Sequence, residues 1–516
     1  MTIEELKQVD ILIRARYPII YIVSSEEQRV INLLKKQTKK EKKIHVWSET
    51  RGFRNIEDYE LVGNNGGGDP LEALQFVLEN KENAIFILLD FHVFLNERAH
   101  EVVRLMREVS ESLKKSKKSI VLISPILTIP LELEKDITII DFPLPNQEEI
   151  EEILLRIHSD IVGQKKLKAH LSDEQREQII KTLAGLTQNE IENVLYKSLV
   201  ETKDYSLNIM IKEKEQIIRK TGILEYYHTQ EGIEDVGGLT YLKDWIIKRK
   251  YAFKDKAREF GLPYPKGLLL IGIQGCGKSL CCKVIANIWN FPLLRLDVGS
   301  IFQGIVGSSE SNMRKAIKLA ESISPCILWI DEIEKGFAGV QSSSFSDAGT
   351  TARVFGTFLT WMQEKTAPVF VVATANRVDV LPPEFLRKGR FDEIFFIDLP
   401  NQQERREIFE IHLKKRNRAV SSFDLDLLVH RSMKFSGAEI ESAVISALYD
   451  AYDDSLKNKS INLEDRHILE NLEKLVPLAT FMKEQIEDMR SWANKRTRPA
   501  SESESKQTEK SRSIEY

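Results

Sequence analysis

GIQGCGKS, residues 272–279, follows the apolar run KGLLLI (266–271) and precedes the amphipathic stretch 280–289. Gly272, Gly277, Lys278 and Ser279 have the spacing of a phosphate-binding loop, placed between a β-like run and a helical pattern as such a loop must be. Glycines let backbone N–H groups wrap a phosphate without interference from Cβ atoms. Lys278 neutralises the outer phosphate oxygens, and Ser279 offers a Mg²⁺ ligand at a helix N-terminus. A chance Gly-rich turn is the alternative, and the flanking pattern weighs against it. The loop implies an α/β fold built on a parallel sheet.

Composition bounds the rest. The 516 residues allow two to four domains, and 74 Lys and Arg against 78 Asp and Glu give a net charge of −4. No global basic field or basic stripe with interleaved aromatics is present, so no nucleic-acid partner is expected. The four cysteines, Cys276, Cys281, Cys282 and Cys326, fall in the region of the phosphate loop and point to reduced thiols. The first ten residues, MTIEELKQVD, are too acidic for a transit peptide, and the longest apolar stretch, 84–95, contains Asp90 and His92. No membrane insertion is expected.

Downstream of the loop, CILWIDE (326–332) reads as a buried strand ending in two carboxylates, one placed to hold Mg²⁺-bound water and one to polarise an attacking water. VFVVATAN (369–376) is a second buried strand, ending in the polar amide Asn376. FLRKGRFD (385–392) offers Arg387 and Arg390, suited to reach a γ-phosphate.

In this order and spacing the motifs resemble the AAA family of ATPases over about residues 231–460. The resemblance implies ATP and Mg²⁺ as ligands. Gly272, Gly275, Cys276, Gly277, Lys278, Ser279 and Leu280 would form the Walker A loop. Asp331 and Glu332 would act as Walker B, with Asp331 and Ser279 on the metal and Glu332 catalytic. Asn376 would be sensor 1, and Arg387 and Arg390 arginine fingers acting on a neighbour's ATP. IEDVGG (233–238) looks like the loop over the adenine, with Asp235, Val236 and Gly237. SGAE (436–439) resembles the start of a lid helix, with Gly437 and Ala438 beside the nucleotide. Trans-acting fingers imply a homo-oligomer, a hexamer in this family, with an unidentified protein client.

The sequence departs from the family pattern in several places. Ile273 and Gln274 replace the usual prolines. Cys276 is either a redox-sensitive thiolate favoured by the loop's positive field or a small buried side chain. In FQGIVG (302–307), Ile305 stands where ring unfoldases carry a pore aromatic, so threading of polypeptide is disfavoured while a weaker grip stays open. The Ser/Gly-rich stretch 339–351 reads as a second mobile loop, with Asp347 and Arg353 as candidate inter-subunit contacts.

The first two hundred residues echo the second half. DFPLPNQEE (141–149) parallels DLPNQQE (398–404), and LTQNEIE (186–192) parallels FSGAEIE (435–441), as expected of an internal duplication. The copy carries SSEE (24–27) in place of the phosphate loop, where acidic side chains repel phosphate, and Phe91 after Asp90 in place of a catalytic glutamate. LELEKD (131–136) has no fingers, and GGGDP (66–70) breaks a loop.

The expected architecture is therefore α/β, two tandem AAA-type P-loop modules with parallel-sheet cores and small helical lids, the first degenerate. The expected boundaries are a degenerate module over 1–203, a helical linker over 204–230, an active core over 231–399, its lid over 400–475, a C-terminal helix over 476–495 and a disordered tail over 496–516. This arrangement is similar to AAA proteins of algal plastid genomes and cyanobacteria. That likeness implies the chloroplast stroma or cyanobacterial cytoplasm and a role in photosynthetic physiology. Two functions follow: an ATP-hydrolysing ring that remodels a partner, or an ATP-binding assembly switch acting as a scaffold with little turnover.

Overall fold

Short, continuous apolar runs set both sheets. A computed structural model describes all residues except 1, 38–41, 57–59, 61, 63–67, 97–98, 164–170, 221, 303–307, 339–344, 388, 458–461 and 503–516. The chain divides into two units, Met1–Ile211 and Lys212–Tyr516.

The first unit contains β1 (Ile19–Val23), β2 (Lys43–Ser48), β3 (Gly52–Asn55), β4 (Ala84–Leu89), β5 (Ser119–Ser124) and β6 (Ile137–Asp141). Their order in the sheet is β3-β2-β4-β5-β1-β6, parallel except for β3 against β2. β1, β4 and β5 have no alternating polar face, because helices cover both sides of a parallel sheet. One side packs Tyr21, Trp47 and Phe86, and the other Ile20, Ile22, Ile85 and Ile87. Helices Gln147–Gly163, Asp173–Leu183 and Gln188–Thr202 follow the sheet as a helical lid.

The second unit contains β7 (Leu224–Tyr227), β8 (Gly267–Gly272), β9 (Leu293–Leu296), β10 (Cys326–Ile330), β11 (Val369–Ala375), β12 (Glu393–Ile397) and β13 (Arg498–Pro499), in the order β13-β12-β8-β11-β10-β9-β7. The parallel strands β12-β8-β11-β10-β9 reproduce β6-β1-β5-β4-β2 in both chain order and position. The duplication is thus present in the topology as well as in the sequence. Each sheet ends on an antiparallel edge strand beside its second strand, but β3 follows its partner β2 in the chain whereas β7 precedes β8 and β9. Helices Gln402–Lys415, Leu425–Arg431, Gly437–Lys457 and Asp465–Lys474 form the second lid around a core that includes Phe409, Leu428, Ile440 and Ile468.

Two expected boundaries differ from the structure. The segment 204–230, expected as a helical linker, holds a helix and also a strand of the second sheet. Helix Leu207–Lys220 buries Ile218, and β7 then pairs Leu224 with Leu296, so both enter the core of the second unit. Its charged surface pattern conceals a single apolar face.

The expected disordered tail is ordered at its start. Arg498 and Pro499 extend the sheet beside β12, the Ala500 N–H donates to the Phe396 carbonyl at 2.9 Å, and Ala500 is buried. Edge pairing uses backbone groups, which composition does not report. Residues 503–516 lie outside the described residues, as do the loop with Ile305 and the Gly66–Gly67 pair of the loop breaker. Of the stretch 339–351, residues from Phe345 onward belong to the helix Phe345–Glu364 rather than to a loop; the Asp347 side chain is not among the described ones.

Leu224 separates the two views of this segment. Leu224→Ala should destabilise the second unit by about 2–4 kcal/mol in urea unfolding if β7 is part of its core, whereas an unchanged midpoint would restore the linker reading.

Candidate functional site

β8 ends at Gly272, and the helix Lys278–Trp289 begins after Gly277. Gly275 and Gly277 take φ of +78° and +89°, a region that side chains strain to enter. A Cβ on Gly275 would also lie 2.9 Å from Ser436 Oγ, so only glycine lets the second lid approach the loop. The Ala438 N–H, at the start of helix Gly437–Lys457, donates to the Gly275 carbonyl at 3.0 Å and fastens that lid to the loop.

Lys278 is buried. Its Nζ donates to the carbonyls of Gly272 (2.9 Å) and Ile273 (2.7 Å), and burial pulls its pKa down although Glu334, Asp331 and Glu332 oppose the shift. A loop that holds its lysine on its own carbonyls keeps the charge ready for an anion.

The strand ends deliver a connected set of polar groups. Ser279 Oγ donates to Asp331 Oδ1 (3.0 Å), and Thr374 Oγ1 donates to the same oxygen (2.8 Å). Thr374 Oγ1 accepts the Glu332 N–H (2.9 Å), and Asn376 Nδ2 donates to Glu332 Oε1 (2.9 Å). Glu332 takes φ +49°, an unusual value for a non-glycine residue, and pairs with Lys335 through Oε2. Its carboxylate raises the Lys335 pKa. Glu334 is buried and accepts the Asn376 N–H at 2.9 Å; burial raises its pKa, and its Oε2 has no hydrogen-bond partner among the described residues. Arg295, on β9, reaches Asp331 Oδ2 at 3.9 Å across the Trp329 ring.

A cavity of about 510 Å³ opens over these groups, within the size range of small-molecule sites. Its other end is lined by Asp235, Val236 and Gly237, by Leu280, and by Gly437 and Ala438 across from them. Lys415 pairs with Asp235 at 2.8 Å and lowers its pKa. A Cβ on Gly237 would lie 2.7 Å from Ile408 Cγ1, so that glycine allows the loop to sit against the lid. The structure therefore brings together Gly275, Cys276, Gly277, Lys278, Ser279, Leu280, Asp331, Glu332 and Asn376 with Asp235, Val236, Gly237, Gly437 and Ala438. Arg387 and Arg390 are not among the lining residues. Arg387 is exposed beyond the turn Pro383–Leu386, and Arg390 is half-buried, with no hydrogen-bond partner for its Nε among the described residues. Arg353 lies 3.8 Å from Glu310.

The departures in the loop gain a structural account. Ile273 is buried with Ala479 and Ile486 of the C-terminal helical segment, beside Cys276. An apolar contact takes the place of the family's proline. Burial pushes the Cys276 thiol up to about 12, outweighing nearby Lys278, which weighs against a thiolate at this half-buried side chain. The four cysteines are free thiols.

Sequence reading missed Thr374, Glu334, Lys335, Arg295, Glu404 and the lid residues Ile408, Ile411 and His412, the last with its pKa lowered by burial. The IDEIEK run contained two of them. VFVVATAN contained Thr374; the others arrive from distant segments, and of these only the Asn401–Glu404 capping box had a local pattern.

In the first unit the turn after β1 carries a buried carboxylate in place of the glycine loop. Glu26, buried, accepts the Gln188 N–H on Oε1 (2.6 Å) and pairs with Arg29 through Oε2 (2.6 Å). Arg29 also reaches Glu149 (2.8 Å) and the Pro143 carbonyl (2.7 Å), with its guanidinium 4.7 Å from the Phe142 ring centre. The lid helix that in the second unit bonds a loop carbonyl here bonds a carboxylate. Burial raises the Glu26 pKa despite Arg29. Phe91, where a catalytic glutamate would stand, is buried against Trp47 at 5.4 Å.

Paired parallel-sheet modules, a glycine loop clamped to a lid and carboxylates at the neighbouring strand ends define a P-loop ATPase class, and the comparisons agree. The chain belongs to the AAA family of ATPases. Residues 268–399 match the ATPase family associated with various cellular activities, residues 5–142 the N-terminal domain of SpoVK-like AAA ATPases, and residues 148–221 their second domain. The chain is similar to the AAA domain-containing protein ycf46 of Guillardia theta, 46% identical over 499 residues and covering 95% of each chain. It is also 44% identical to ycf46 of Pyropia yezoensis over 94% of this chain and 96% of that one, and 43% identical to ycf46 of Trieres chinensis over 94% and 95%. The residues present fit a nucleotide: a cationic Nζ, helix N-terminal amides and a hydroxyl–carboxylate pair face one cavity. Among the described residues no helix is long and apolar enough to cross a membrane.

The buried pair in the first unit gives a quantitative check. Arg29→Ala leaves Glu26 buried without its cation and should cost about 3–5 kcal/mol in denaturant unfolding; a loss under about 1 kcal/mol would place the pair in effective contact with water.

Proposed function

We propose that the second module binds and hydrolyses ATP with Mg²⁺ in a homo-oligomeric ring, a hexamer in the family's habit. The cycle would remodel or regulate a partner protein of photosynthetic physiology in the plastid stroma or a cyanobacterial cytoplasm. Family membership carries the ATP-dependent activity. The observation that supports hydrolysis is the continuous hydrogen-bonded chain Ser279–Asp331–Thr374–Glu332–Asn376, because it joins the pair proposed to hold the metal to the carboxylate proposed as base.

In this reading the amides of Gly275, Cys276, Gly277, Lys278, Ser279 and Leu280, with the Lys278 ammonium, hold the phosphates. Ser279 Oγ and the Asp331 carboxylate hold the metal, which when bound supplies charge neutralisation at the phosphates. Asn376 orients Glu332, and Glu332 accepts the proton of the attacking water. Glu332 must leave Lys335 to do so, since the two are paired as they stand. Asp235, Val236 and Gly237 with Gly437 and Ala438 receive the base. The position of Arg387 and Arg390 away from their own chain's cavity supports fingers that complete a neighbour's site. Kinship with the ycf46 proteins supports the plastid setting.

The second reading, an assembly switch with little turnover, is favoured by the first module, which has the buried Glu26–Arg29 pair where the second has its phosphate loop. Such a module serves as scaffold or partner-binding surface.

Steady-state ATP turnover per subunit against protein concentration separates the two. Turnover should rise with assembly, and Glu332→Gln and Arg387→Ala should each lower it by about 10²-fold or more. Wild-type turnover equal to that of Glu332→Gln at every concentration would leave only the switch.

A further inference from the structure

The segment following the second lid touches the cavity from outside at three of its lining residues. Ile486 and Ala479 pack on Ile273 beside Cys276. Arg490 forms a forked pair with the Asp398 carboxylate through Nε and Nη2, at 2.8–3.0 Å. Farther on, Ser501 Oγ donates to Glu404 Oε1.

Glu404 is a buried junction. Its Oε1 also accepts the Leu239 N–H (3.0 Å), its Oε2 accepts the Asn401 N–H (2.9 Å), and the neighbouring Gly238 N–H donates to Glu407 (2.7 Å). One residue earlier, the Ala500 carbonyl accepts the N–H groups of Tyr241 (3.0 Å) and Leu242 (3.2 Å), capping the helix Thr240–Arg249 that continues from the same loop. The Ala500 side chain is buried in the apolar cluster with Leu242, Trp245 and Phe395. Tyr241 donates through its hydroxyl to Glu502 (3.2 Å), and Asn401 donates to the Glu502 carbonyl (3.4 Å). The loop 235–239, which forms the base end of the cavity, is therefore held from behind by residues 500–502.

We propose that residues 498–502 are a strap belonging to the nucleotide site: seated beside β12, they fix the loop 235–239 against the second lid and raise nucleotide affinity, and unseated they lower it. Ala500 and Ser501 are positioning residues, acting through Glu404 and the helix N-terminus. The inference rests on the ATP-binding reading above. Chemically the strap contributes hydrogen bonds to a buried carboxylate and to otherwise open helix N–H groups, so its loss leaves those groups unsatisfied and the loop free to move. The ligand affected is the adenine nucleotide, and the effect falls on binding more than on the chemical step, since the contacts lie at the base end and away from Glu332.

The test is equilibrium binding of a fluorescent ATP analogue together with turnover at saturating ATP. The variants are the full chain carrying Ala500→Asp, a chain ending at Thr497 and a chain ending at Glu502. Ala500→Asp and the Thr497 truncation should weaken binding about tenfold while changing kcat by no more than about twofold. The chain ending at Glu502 should bind as wild type does. Adding a synthetic peptide of residues 496–502 to the Thr497 truncation should restore affinity. Unchanged affinity in a folded Thr497 truncation, or a weakened one that the peptide does not restore, overturns the proposal. If Ala500→Asp does not fold, the peptide arm decides alone. A wild-type chain that binds no nucleotide would instead count against the function proposed for the module, and the two failures are thereby told apart.

Discussion

The contact between the start of a lid helix and the loop after the first strand of its sheet governs what each module can be. In the second module a backbone amide, from Ala438, meets a backbone carbonyl, from Gly275, across a glycine that no other residue could replace without meeting Ser436. The loop's own donors stay free to face inward. In the first module an amide at the same helix start, from Gln188, which parallels Gly437, meets the Glu26 carboxylate. One fold, used twice, thus keeps the joint between core and lid and exchanges the chemistry inside it. A fixed negative charge replaces a space for one, and Arg29 supplies internally the cation that Lys278 offers to a ligand.

Around the second joint the sheet does the positioning. β8, β10 and β11 are buried on both faces, so their ends are held by close packing, and the polar residues that follow them inherit that precision. Asp331 and Thr374 project from adjacent strands at matching register and share a hydrogen bond, and Glu332 and Asn376 follow one step out. Glu334 and Arg295 frame them from below and beside. Carboxylates this close repel, and the network balances them with Ser279, Thr374, Asn376, Lys335 and Arg295 rather than with one strong cation. Two of those partners, Lys335 and Arg295, are surface-reaching side chains that a bound nucleotide or a neighbouring chain could displace.

Much of this was legible in the sequence because the chemistry is local. IQGCGKS, IDE and ATAN are contiguous runs whose residue types are dictated by phosphate and metal chemistry, and the repeated Pro-Asn-Gln helix starts revealed the duplication before any strand order was known. What stayed hidden is carried by backbone groups and by single side chains from afar. Arg498-Pro-Ala-Ser501 looks like a solvated tail, since nothing in its composition reports that Ala500 fits an apolar gap and caps a helix. Ile273 reads as a deviation from a family pattern until Ile486 is found against it. The helix Leu207–Lys220 reads as a connector because its charges outnumber the few apolar positions that bury it. Glu404 announces itself only as half of a capping box, while its wider role depends on three segments meeting at one carboxylate.

On the proposed function, the duplicated fold holds one nucleotide site, in its second module. Calorimetric titration of the full chain with ATP and Mg²⁺ measures this directly as a stoichiometry. A single site per chain is expected, abolished by Lys278→Ala in a protein that keeps its fold. Two sites per chain, or one that survives Lys278→Ala unchanged, would contradict it.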